Sequence, residues 1–369
     1  MRILIDLTAL ADNFSGIERY AACIAYEMIQ QSEDEYILLF KEKVHSMFDE
    51  LVEKRNVESI ILPRCNKLLF NQVRLPMAIH RIKADWYLFL AFPVPVFTFK
   101  KNMISTIHDI CCWDCPETMN GLSKWYFRIS HRIAMWKCKK IVTISEFSKK
   151  RIVERLNYSE DNIILVYCGI GDEFAFYDAS VSEHQEIKER YNIPPKYVLS
   201  LCTLEPRKNL KLLVEAYQDI VKEKRIDTPL VLAGRKGWKI DELLDGLDEK
   251  TRNNIYITGF IADTDLPYIY GGADSFVFPS MYEGFGIPPL EAMACGVPVL
   301  SSDAASLPEV LGDAALYFKS EDVKDLQEKL IYISKHSEEE RKEKEQIRRT
   351  QVKKFSWKKE AEKLLQMLR

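Results

Sequence analysis

The stretch EGFGIPPLEAMACGVPV, Glu283 to Val299, is the most informative part of this chain. Gly284 and Gly286 precede two prolines, so a tight turn is predicted to lead into a short helix beginning near Leu290. Gly296 is typical of the residue that ends a helix, and the apolar run after it predicts a buried strand. A helix start presents backbone N–H groups, which commonly bind phosphate in proteins.

Two carboxylates, Glu283 and Glu291, flank this turn at a spacing of eight residues. Carboxylates accept hydrogen bonds from hydroxyl groups, so the pair suits hydroxyl-rich groups on both sides of a phosphate. That is the layout of a nucleotide sugar, with a hexose, a diphosphate and a ribose. The plainer alternative is that glycine and proline only form a strand-to-helix turn, because a G-x-G motif alone is weak evidence.

The whole stretch resembles the donor-site signature of family-four retaining glycosyltransferases of GT-B fold. That resemblance implies an α/β protein with two Rossmann-like domains facing each other across a cleft, and a C-terminal helix that crosses back to the N-terminal domain. It implies that Glu283 contacts the transferred sugar and Glu291 the ribose. The turn between them would supply donor-binding backbone groups, from Gly284, Phe285, Gly286 and Ile287.

The length and charge of the chain limit its class. Its 369 residues suggest two domains of about 150–200 residues each. Hydrophobic residues make up 47% and the net charge is −3, which is typical of soluble globular proteins and argues against nucleic-acid binding. The opening MRILIDLTAL is short and contains Asp6, so it predicts a buried strand rather than a signal peptide.

The nine cysteines are an odd number scattered over a long chain, which predicts free thiols in a reducing compartment and hence a cytoplasmic protein. His108 and Cys111, Cys112 and Cys115 do cluster as HDICCWDC. No second ligand pair follows at zinc-finger spacing, so ordinary thiols are favoured over a metal site. We therefore expect no metal and no cofactor.

Short apolar runs alternate with helical segments along the chain, which predicts parallel sheets with helices on both faces. We predict an N-terminal Rossmann-like acceptor domain over 1–178 and a C-terminal donor domain over 179–355, with a hinge near 177–185. The crossing helix implied by the resemblance would be 356–369. The predicted strands are Arg2–Leu7, Tyr36–Phe40, Ser59–Leu62, Trp86–Leu90, Met103–Ile107, Ile141–Ile144, Ile163–Val166, Tyr197–Leu201, Pro229–Ala233, Ile255–Thr258, Ser275–Phe278, Val297–Ser301 and Ala315–Phe318.

The segment TLEPRKNL, Thr203 to Leu210, places Arg207 and Lys208 between a strand and a helix for which Asn209 is the expected N-cap. Arginine offers a planar fork and lysine a point charge, and both suit a diphosphate. The alternative is a solvated basic pair at a helix start. The resembling family has a closely similar E-P-R-K-N that grips the donor diphosphate, which implies catalytic roles for both cations. A glycine is usual where Cys202 stands, so a side chain there would crowd the donor.

The segment HDI, His108 to Ile110, follows the predicted strand Met103–Ile107 directly. Ligands of open α/β domains bind at the carboxyl ends of strands, so His108 is a candidate to bond a sugar hydroxyl or stabilise developing charge. The alternative is a core histidine with satisfied hydrogen bonds. The family has a histidine–aspartate pair here, which implies a catalytic His108 and makes Asp109 an acceptor-side candidate.

Two further segments match the family. SGIERY places Gly16 at a helix start, where the backbone would allow close approach of the donor, and puts Glu18 where a second glycine is common. We give Glu18 no donor role, because a carboxylate repels a diphosphate. In TGFI, backbone groups of Phe260 and Ile261 would read a nucleobase edge, although an ordinary turn is the alternative. AGRKGW, Ala233 to Trp238, resembles a family loop near the nucleotide.

Together the motifs look most like mannosyltransferases of bacterial surface-polysaccharide assembly. That resemblance implies a retaining, metal-independent enzyme with GDP-mannose as the first donor to test and a glycan or lipid-linked glycan as acceptor. No Asp-x-Asp stands where a metal anchor is expected. A non-catalytic or epimerase-like nucleotide-sugar-binding protein of the same fold is the alternative.

The segment Gly121–Lys140 mixes four large aromatic residues with six cations. Aromatic and basic residues on one helix can hold a protein on anionic lipid. An ordinary packed helix with a basic outer face is the alternative. Peripheral contact with the inner face of the cell membrane is therefore left open.

Overall fold

The computed structural model describes residues 1–174, 183–235, 241–335 and 338–369. The chain forms two compact units. Unit 1 comprises Met1–Gly169 and Ser356–Arg369, and unit 2 comprises Ile170–Phe355. The predicted boundary between 178 and 179 lies outside the described residues, as does most of the predicted hinge at 177–185.

Each unit contains one parallel sheet of buried, mainly apolar strands. The strand order is β3-β2-β1-β4-β5-β6-β7 in unit 1 and β10-β9-β8-β11-β12-β13 in unit 2. The strands are β1 Arg2–Asp6, β2 Glu35–Lys41, β3 Val57–Leu62, β4 Trp86–Phe89, β5 Met103–Thr106, β6 Lys140–Thr143, β7 Ile163–Leu165, β8 Val198–Leu201, β9 Leu230–Ala233, β10 Ile255–Gly259, β11 Ser275–Phe278, β12 Val299–Ser302 and β13 Leu316–Phe318.

Helices connect the strands, as parallel pairing requires. They are α1 Gly16–Gln31, α2 Lys67–Leu69, α3 Leu75–Arg81, α4 Cys111–Asp114, α5 Gly121–Lys137, α6 Glu146–Leu156, α7 Glu183–Arg190, α8 Leu210–Lys222, α9 Glu249–Asn253, α10 Leu266–Gly271, α11 Ile287–Ala294, α12 Leu307–Leu311, α13 Val323–Ser334, α14 Glu338–Val352 and α15 Trp357–Leu368. A π-helical segment, Phe70–Arg74, joins α2 to α3.

The two sheets share a topology that fixes where ligands bind. In each, the chain starts in a central strand, builds outward on one side, and then crosses to the other side next to its first strand. This reversal leaves a crevice at the carboxyl ends of the two central strands, where open α/β proteins bind ligands. The two central strands are β1 and β4 in unit 1, and β8 and β11 in unit 2.

The helix α15 belongs to unit 1, so the predicted crossing back is confirmed. It packs on α1 through a buried apolar face. The indole Nε1 of Trp86 donates a hydrogen bond of 2.9 Å to the carbonyl oxygen of Leu368. Trp357 leaves no room at Gly169, because a Cβ atom there would lie 2.2 Å from the Trp357 backbone nitrogen. Residues far apart in sequence thus close one core.

The predicted strands are confirmed, with ends that shift by one or two residues. Around α11 the shifts have a clear cause. The helix begins at Ile287 rather than near Leu290, because Pro288 and Pro289 fit its first turn, where no intrahelical N–H bond is lost. Gly296 ends the helix with φ +81° as predicted. The N–H of Val297 bonds the carbonyl of Ala292 and closes the helix, so β12 starts only at Val299.

Candidate active site

Arg207 and Lys208 lie in the crevice of unit 2, on a 3-10 turn that follows β8. Glu283 comes from the segment after β11, the neighbouring central strand. Lys208 Nζ is 2.5 Å from Glu283 Oε1, and Arg207 Nη1 is 3.3 Å from Glu283 Oε2. The Arg207 and Lys208 side chains are 20% and 12% exposed, so the solvated-pair alternative is wrong.

Further bonds fix the guanidinium of Arg207. Its Nη1 donates to the carbonyl oxygen of Tyr282 at 2.7 Å, and its Nη2 donates to Glu205 Oε1 at 3.0 Å. The Arg207 carbonyl in turn accepts the N–H of Met281 at 2.9 Å. The cluster therefore contains two cations and two carboxylates, whose formal charges sum to zero. A diphosphate entering it would meet cations that are already oriented.

Glu283 is a buried carboxylate that its neighbours keep ionised. Its Oε1 also accepts a hydrogen bond of 2.5 Å from Ser280 Oγ. Burial by itself raises the pKa of the Glu283 carboxyl. Lys208 and Arg207 outweigh that effect together with the hydrogen bonds from Lys208 and Ser280, so the net pKa lies below its ordinary value. The side chain is ionised at neutral pH.

The turn before α11 depends on Gly286, which has φ +103°. A Cβ atom there would lie 2.7 Å from Leu307 Cδ2, so both conformation and space require glycine. Ser306 Oγ lies 3.0 Å and 2.9 Å from the carbonyl oxygens of Glu283 and Phe285 and holds the turn. Pro288 and Pro289 have no N–H, so backbone donors must come from the turn and Ile287. Donor binding by Gly284, Phe285, Gly286 and Ile287 stays a prediction.

Glu291 is more deeply placed than its partner in the E-x7-E pair. It lies on α11 and is 4% exposed. Its Oε2 accepts a hydrogen bond of 2.8 Å from the hydroxyl of Tyr270 on α10. The predicted contact with a ribose stays a prediction.

The predicted nucleobase segment follows β10, the edge strand two places from β8. The Ile261 side chain is 3% exposed, and the Arg235 guanidinium carbon lies 5.0 Å from the centroid of the Phe260 ring. Gly234 N–H bonds the carbonyl of Gly259 at 2.8 Å and joins the two loops. Base recognition by the backbone of Phe260 and Ile261 stays a prediction, and residues 236–238 of AGRKGW lie outside the described residues.

Two residues near the cations differ from expectation in detail. Asn209 stands at the N-cap position of α8, but its backbone is left-handed with φ +52° and its side chain makes no cap hydrogen bond. Cys202, where the family has glycine, is 5% exposed. Burial raises the pKa of its thiol to about 12, so it is neutral, and little of it borders open space. The predicted crowding of a donor is not tested by this burial.

In unit 1, His108 follows β5 and reaches across to the end of β4. Its Nε2 lies 3.0 Å from the carbonyl oxygen of Leu90, which can only accept, so Nε2 carries the proton and Nδ1 is an acceptor. Burial lowers the His108 pKa to about 4, although Asp109 and nearby carbonyl groups oppose it. The imidazole is neutral at pH 7. It therefore suits a hydrogen bond with a hydroxyl better than neutralisation of developing charge.

Aromatic rings fix the orientation of His108. The Tyr20 ring meets it edge-on, with centroids 5.1 Å apart, and Trp357 of α15 packs against Tyr20 at 6.0 Å. The neighbouring Asp109 accepts the N–H of Cys111 at 2.8 Å through Oδ1 and so supports the start of α4. Its proposed acceptor contact stays a prediction.

Glu18 stands where the family commonly has a second glycine, and the structure gives this carboxylate a role at the start of α1. Gly16 is exposed at the first position of α1, after the N-cap Ser15. A Glu18 carboxylate oxygen accepts the backbone N–H of Ser15 at 2.5 Å, which forms a capping box. The carboxylate therefore stabilises the helix start beside the backbone that was predicted to approach the donor.

The cysteine cluster forms ordinary thiol contacts. Cys112 Sγ lies 3.8 Å from His131 Nδ1, and Cys111 Sγ lies 3.6 Å from Thr118 Oγ1. Burial raises the Cys112 pKa to about 12, so this thiol is protonated. Within the described ranges, no three or more His, Cys, Asp or Glu side chains are grouped to hold a metal ion.

Sequence reasoning missed several residues that shape the unit 2 crevice. Glu205 and Ser280 bond Arg207 and Glu283, and Ser306 holds the turn. Ser302 Oγ donates to the carbonyl of Ser280 at 2.5 Å. The available signal was position: Ser302 ends β12, Ser280 lies just beyond the end of β11, and Ser306 lies in the loop between β12 and α12. The strands β11 and β12 are paired in parallel, so their carboxyl ends meet at one edge of the sheet.

Family models match both parts of the chain. Residues 14–174 match the model described as Glycosyltransferase Family 4, and residues 183–350 match Glycosyl transferases group 1. O-antigen chain mannosyltransferase B of Escherichia coli is 31% identical over 338 residues, which cover 88% of each chain. Serotype-specific mannosyltransferase WbdA of Escherichia coli is 35% identical over 189 residues, 50% of this chain and 23% of that protein.

A solved structure supports the same assignment at the level of the fold. The crystal structure of Anabaena Alr3699/HepE in complex with UDP and glucose matches with a TM-score of 0.76 at 15% identity, covering 100% of this chain and 99% of that one. Two parallel-sheet α/β units and this likeness define a protein of GT-B fold. The chain belongs to glycosyltransferase family 4, and the resemblance of its motifs is confirmed.

Proposed function

We propose that this glycosyltransferase moves mannose from a nucleotide sugar to a glycan or lipid-linked glycan, with retention at the anomeric carbon and without a divalent metal ion. GDP-mannose is the first donor to test. The names of the Escherichia coli relatives support mannose as the sugar and O-antigen as the acceptor class. The observation that carries the proposal is the bonded cluster of Arg207, Lys208 and Glu283 at the crevice.

The cluster suits the charge that appears in the reaction. Breaking the bond between a sugar and a diphosphate leaves negative charge on the phosphate oxygens. Arg207 and Lys208 are held in place before any substrate binds, and such preorganised groups stabilise a transition state more than groups that must reorient. Backbone N–H groups of Phe285, Gly286 and Ile287 would add to this stabilisation.

Retention follows from attack on the face that the leaving group occupies. The bond from the anomeric carbon to the phosphate oxygen breaks while a bond to the acceptor oxygen forms on that face. The acceptor proton passes to the leaving phosphate oxygen, so no protein base is required. Glu283 holds the transferred sugar, Glu291 the ribose, and neutral His108 accepts a hydrogen bond from a sugar hydroxyl through Nδ1.

Metal independence rests on the charges of the donor crevice. A divalent ion in other sugar transferases neutralises the diphosphate, and Arg207 and Lys208 supply that positive charge here. The chain does contain one Asp-x-Asp, Asp263-Thr264-Asp265 after β10. The carboxylate of Asp265 already accepts hydrogen bonds from Arg190 Nη1 at 2.9 Å and from the Tyr191 hydroxyl at 2.8 Å.

The proposed place of action is the cytoplasm, at the inner face of the cell membrane, where a lipid-linked acceptor would be presented. None of the helices in the described part of the chain is long and apolar enough to cross a bilayer. The proposal is therefore for contact with the membrane surface only.

A thermal-shift screen with GDP, UDP, ADP and their sugars tests the donor. Ligands that bind the folded state raise its melting temperature, and we expect GDP and GDP-mannose to raise it most. The Arg207→Ala variant should lose this shift, whereas Lys211→Ala should keep it, because the Lys211 side chain is 83% exposed and pairs with Glu215 of its own helix. A larger shift with UDP or ADP sugars would overturn the choice of donor.

Transfer itself is measured with GDP-mannose and oligomannose acceptors in the presence of excess EDTA. We expect undiminished turnover and an α-linked product from the α-linked donor, as read by nuclear magnetic resonance. Loss of turnover that magnesium restores would overturn metal independence. A β-linked product would overturn retention.

A further inference from the structure

Asp6 is a carboxylate at the crevice of unit 1 that the proposed reaction leaves unused. It ends β1, one of the two central strands of the sheet. Its chain neighbours Ile5 and Leu7 are 0% and 1% exposed, whereas Asp6 keeps part of its surface exposed. Asp6 therefore borders the carboxyl ends of the strands, where open α/β domains bind ligands.

Asp6 and His108 flank the end of β4 from opposite sides. Asp6 lies opposite Phe89 in the pairing of β1 with β4. On the other side, His108 follows β5 and donates from Nε2 to the carbonyl oxygen of Leu90 at 3.0 Å. Neighbouring strands lie about 4.8 Å apart, so both residues border the same part of the crevice.

Only one oxygen of the Asp6 carboxylate is bonded by the fold. Its Oδ1 accepts the N–H of Thr8 at 3.0 Å and the Thr8 hydroxyl at 2.7 Å. In the part of the chain that the structure describes, Oδ2 accepts no hydrogen bond and no cation pairs with the carboxylate. Thr8 is 7% exposed, so it fixes the orientation of the carboxylate and leaves Oδ2 for a ligand.

The turn after β1 does not need the negative charge of Asp6. An asparagine oxygen would accept the same two bonds from Thr8, because asparagine and aspartate form the same kind of turn. Burial raises the pKa of the Asp6 carboxyl above its ordinary 3.8, and the bonds from Thr8 offset only part of that effect. The ionised carboxylate therefore destabilises the folded state at neutral pH. A ligand explains the charge, whereas the fold does not.

We propose that Asp6 is an acceptor-binding residue, whose Oδ2 accepts a hydrogen bond from a hydroxyl group of the acceptor sugar. A carboxylate without a paired cation repels phosphates and suits an uncharged sugar. Nδ1 of His108 also accepts hydrogen bonds, so the two residues together select a ligand that offers two hydroxyl groups. The inference rests on the proposed function and names a residue that recognises its sugar acceptor.

The role proposed for Asp6 is binding and not proton abstraction. The acceptor proton passes to the leaving phosphate in the proposed reaction, so Asp6 holds the hydroxyl group without removing its proton. The two roles differ in kinetics. Loss of a binding contact raises the KM for the acceptor, whereas loss of a base lowers kcat.

Steady-state transfer by the parent and by Asp6→Asn tests the inference, with donor and acceptor varied separately and methyl α-mannoside as the acceptor probe. We expect the acceptor KM to rise about 10–100-fold, because a hydrogen bond to a charged group is lost. The thermal shift given by the donor should be retained, since the donor cations belong to unit 2. Glu35→Gln is the control: it removes an exposed carboxylate at the start of β2, on the opposite edge of the same sheet, and should leave the acceptor KM unchanged.

Monodeoxy analogues of methyl α-mannoside, assayed as competitive inhibitors, identify the hydroxyl group that Asp6 binds. In the parent, loss of that hydroxyl should weaken inhibition about as much as Asp6→Asn does. In Asp6→Asn the same analogue should inhibit as well as the complete sugar, because the two changes remove one shared contact. A merely structural role of Asp6 would weaken all analogues equally.

The stability of Asp6→Asn separates binding from folding. Its melting temperature should equal or exceed that of the parent, because a buried charge is removed and the bonds from Thr8 are kept. An unchanged acceptor KM, or a lower kcat at the same KM, would overturn the inference alone. The donor used is the nucleotide sugar with the largest thermal shift, so a wrong choice of GDP-mannose leaves this comparison intact. A parent that transfers sugar from no donor would overturn the proposed function, and this inference with it.

Discussion

The two units share one strand order, yet their crevices differ in electrostatics. In unit 2, Arg207, Lys208 and Glu283 bond one another at the ends of β8 and β11. In unit 1, the corresponding edge presents His108, a neutral imidazole packed against the ring of Tyr20. One crevice contains paired full charges, and the other presents a neutral imidazole beside aromatic rings.

This difference shows that the fold determines where a ligand binds, whereas the side chains determine which ligand binds. The strand order places a crevice at the same point in both sheets, but it does not decide what binds there. Paired charges suit a diphosphate, and a neutral acceptor with aromatic walls suits sugar hydroxyls. The comparison can be tested by disturbing each crevice separately.

The largest effect is expected for loss of a cation in unit 2. Arg207→Ala or Lys208→Ala should lower kcat/KM for sugar transfer about 10²–10³-fold, since each removes a preorganised group that meets developing charge. The measurement is steady-state kinetics at several donor concentrations. Lys211→Ala, on the exposed side of α8, is the control and should behave as the parent. Full activity in Arg207→Ala would defeat the assignment.

The free energy of unfolding of unit 1 should decrease as the pH falls below 6.5. Burial lowers the pKa of His108 and His131 to about 4 from an ordinary 6.5, so both rings stabilise unit 1 fully above pH 6.5 and progressively less as the pH falls toward 4. The lowered pKa of each ring can reduce the free energy of unfolding of unit 1 by about 3 kcal/mol at acidic pH. Because the pKa of Glu283 is lowered from its ordinary value of 4.5, the ionised side chain stabilises unit 2 fully above pH 4.5. That stabilisation is lost only as the pH falls below 4.5.

Tryptophan fluorescence can follow this acid unfolding, because five of the six tryptophans belong to unit 1. We expect the free energy of unfolding of unit 1 to fall between pH 6.5 and 4.5. His131→Leu should remove part of that pH dependence, whereas His80→Gln, at an exposed position, should preserve it. A fluorescence transition independent of pH in this range would contradict neutral burial of the two rings.

An intermediate effect is expected at the turn of unit 2. Gly286→Ala should lower the free energy of unfolding by about 1–3 kcal/mol, because φ is +103° and the new Cβ would meet Leu307. Gly296→Ala shares the positive φ but meets no atom within 4 Å, so it should cost less, about 1 kcal/mol. Urea unfolding followed by circular dichroism measures both. Equal costs would show that the contact with Leu307 is unimportant.

The smallest effect concerns the serine that holds the same turn. Ser306→Ala should cost about 1 kcal/mol in the free energy of unfolding, since two carbonyl groups lose their donor. Ser200→Ala is the matched control: its buried hydroxyl has no hydrogen-bond partner among the described residues, so the change should be neutral or stabilising. If Ser200→Ala lowered the free energy of unfolding more than Ser306→Ala did, Ser306 would not be the residue that holds the turn.

Much of unit 2 could be predicted because its signals are local. The glycines, prolines and flanking strands of Glu283–Val299 fix a turn, a helix and its end within one short segment, and the structure has all three. The partnership of Arg207 with Glu283 joins residues 76 apart, and only the family resemblance indicated it. Ser280 and Ser306 carry no distinctive spacing, so their bonds emerge only from the packing of neighbouring strand ends.

Unit 1 was harder to predict because its important contacts are distant in sequence. Trp357 supports Tyr20 and thereby His108, although the two aromatic residues stand at opposite ends of the chain. Helix α5 carries an apolar stripe that was visible as composition, but its outward orientation follows from which residues the sheet buries. Helical periodicity identifies a stripe and cannot say which side of it faces water.

The position of α15 has a consequence for how the chain folds as it is made. Unit 1 begins at Met1 but lacks the helix that covers α1, and the partner of the Trp86 indole, until Leu368 has been synthesised. Unit 2 is continuous in sequence and can close earlier. We therefore expect the domain that leaves the ribosome first to mature last, with the apolar side of α1 depending on chaperones in the interval.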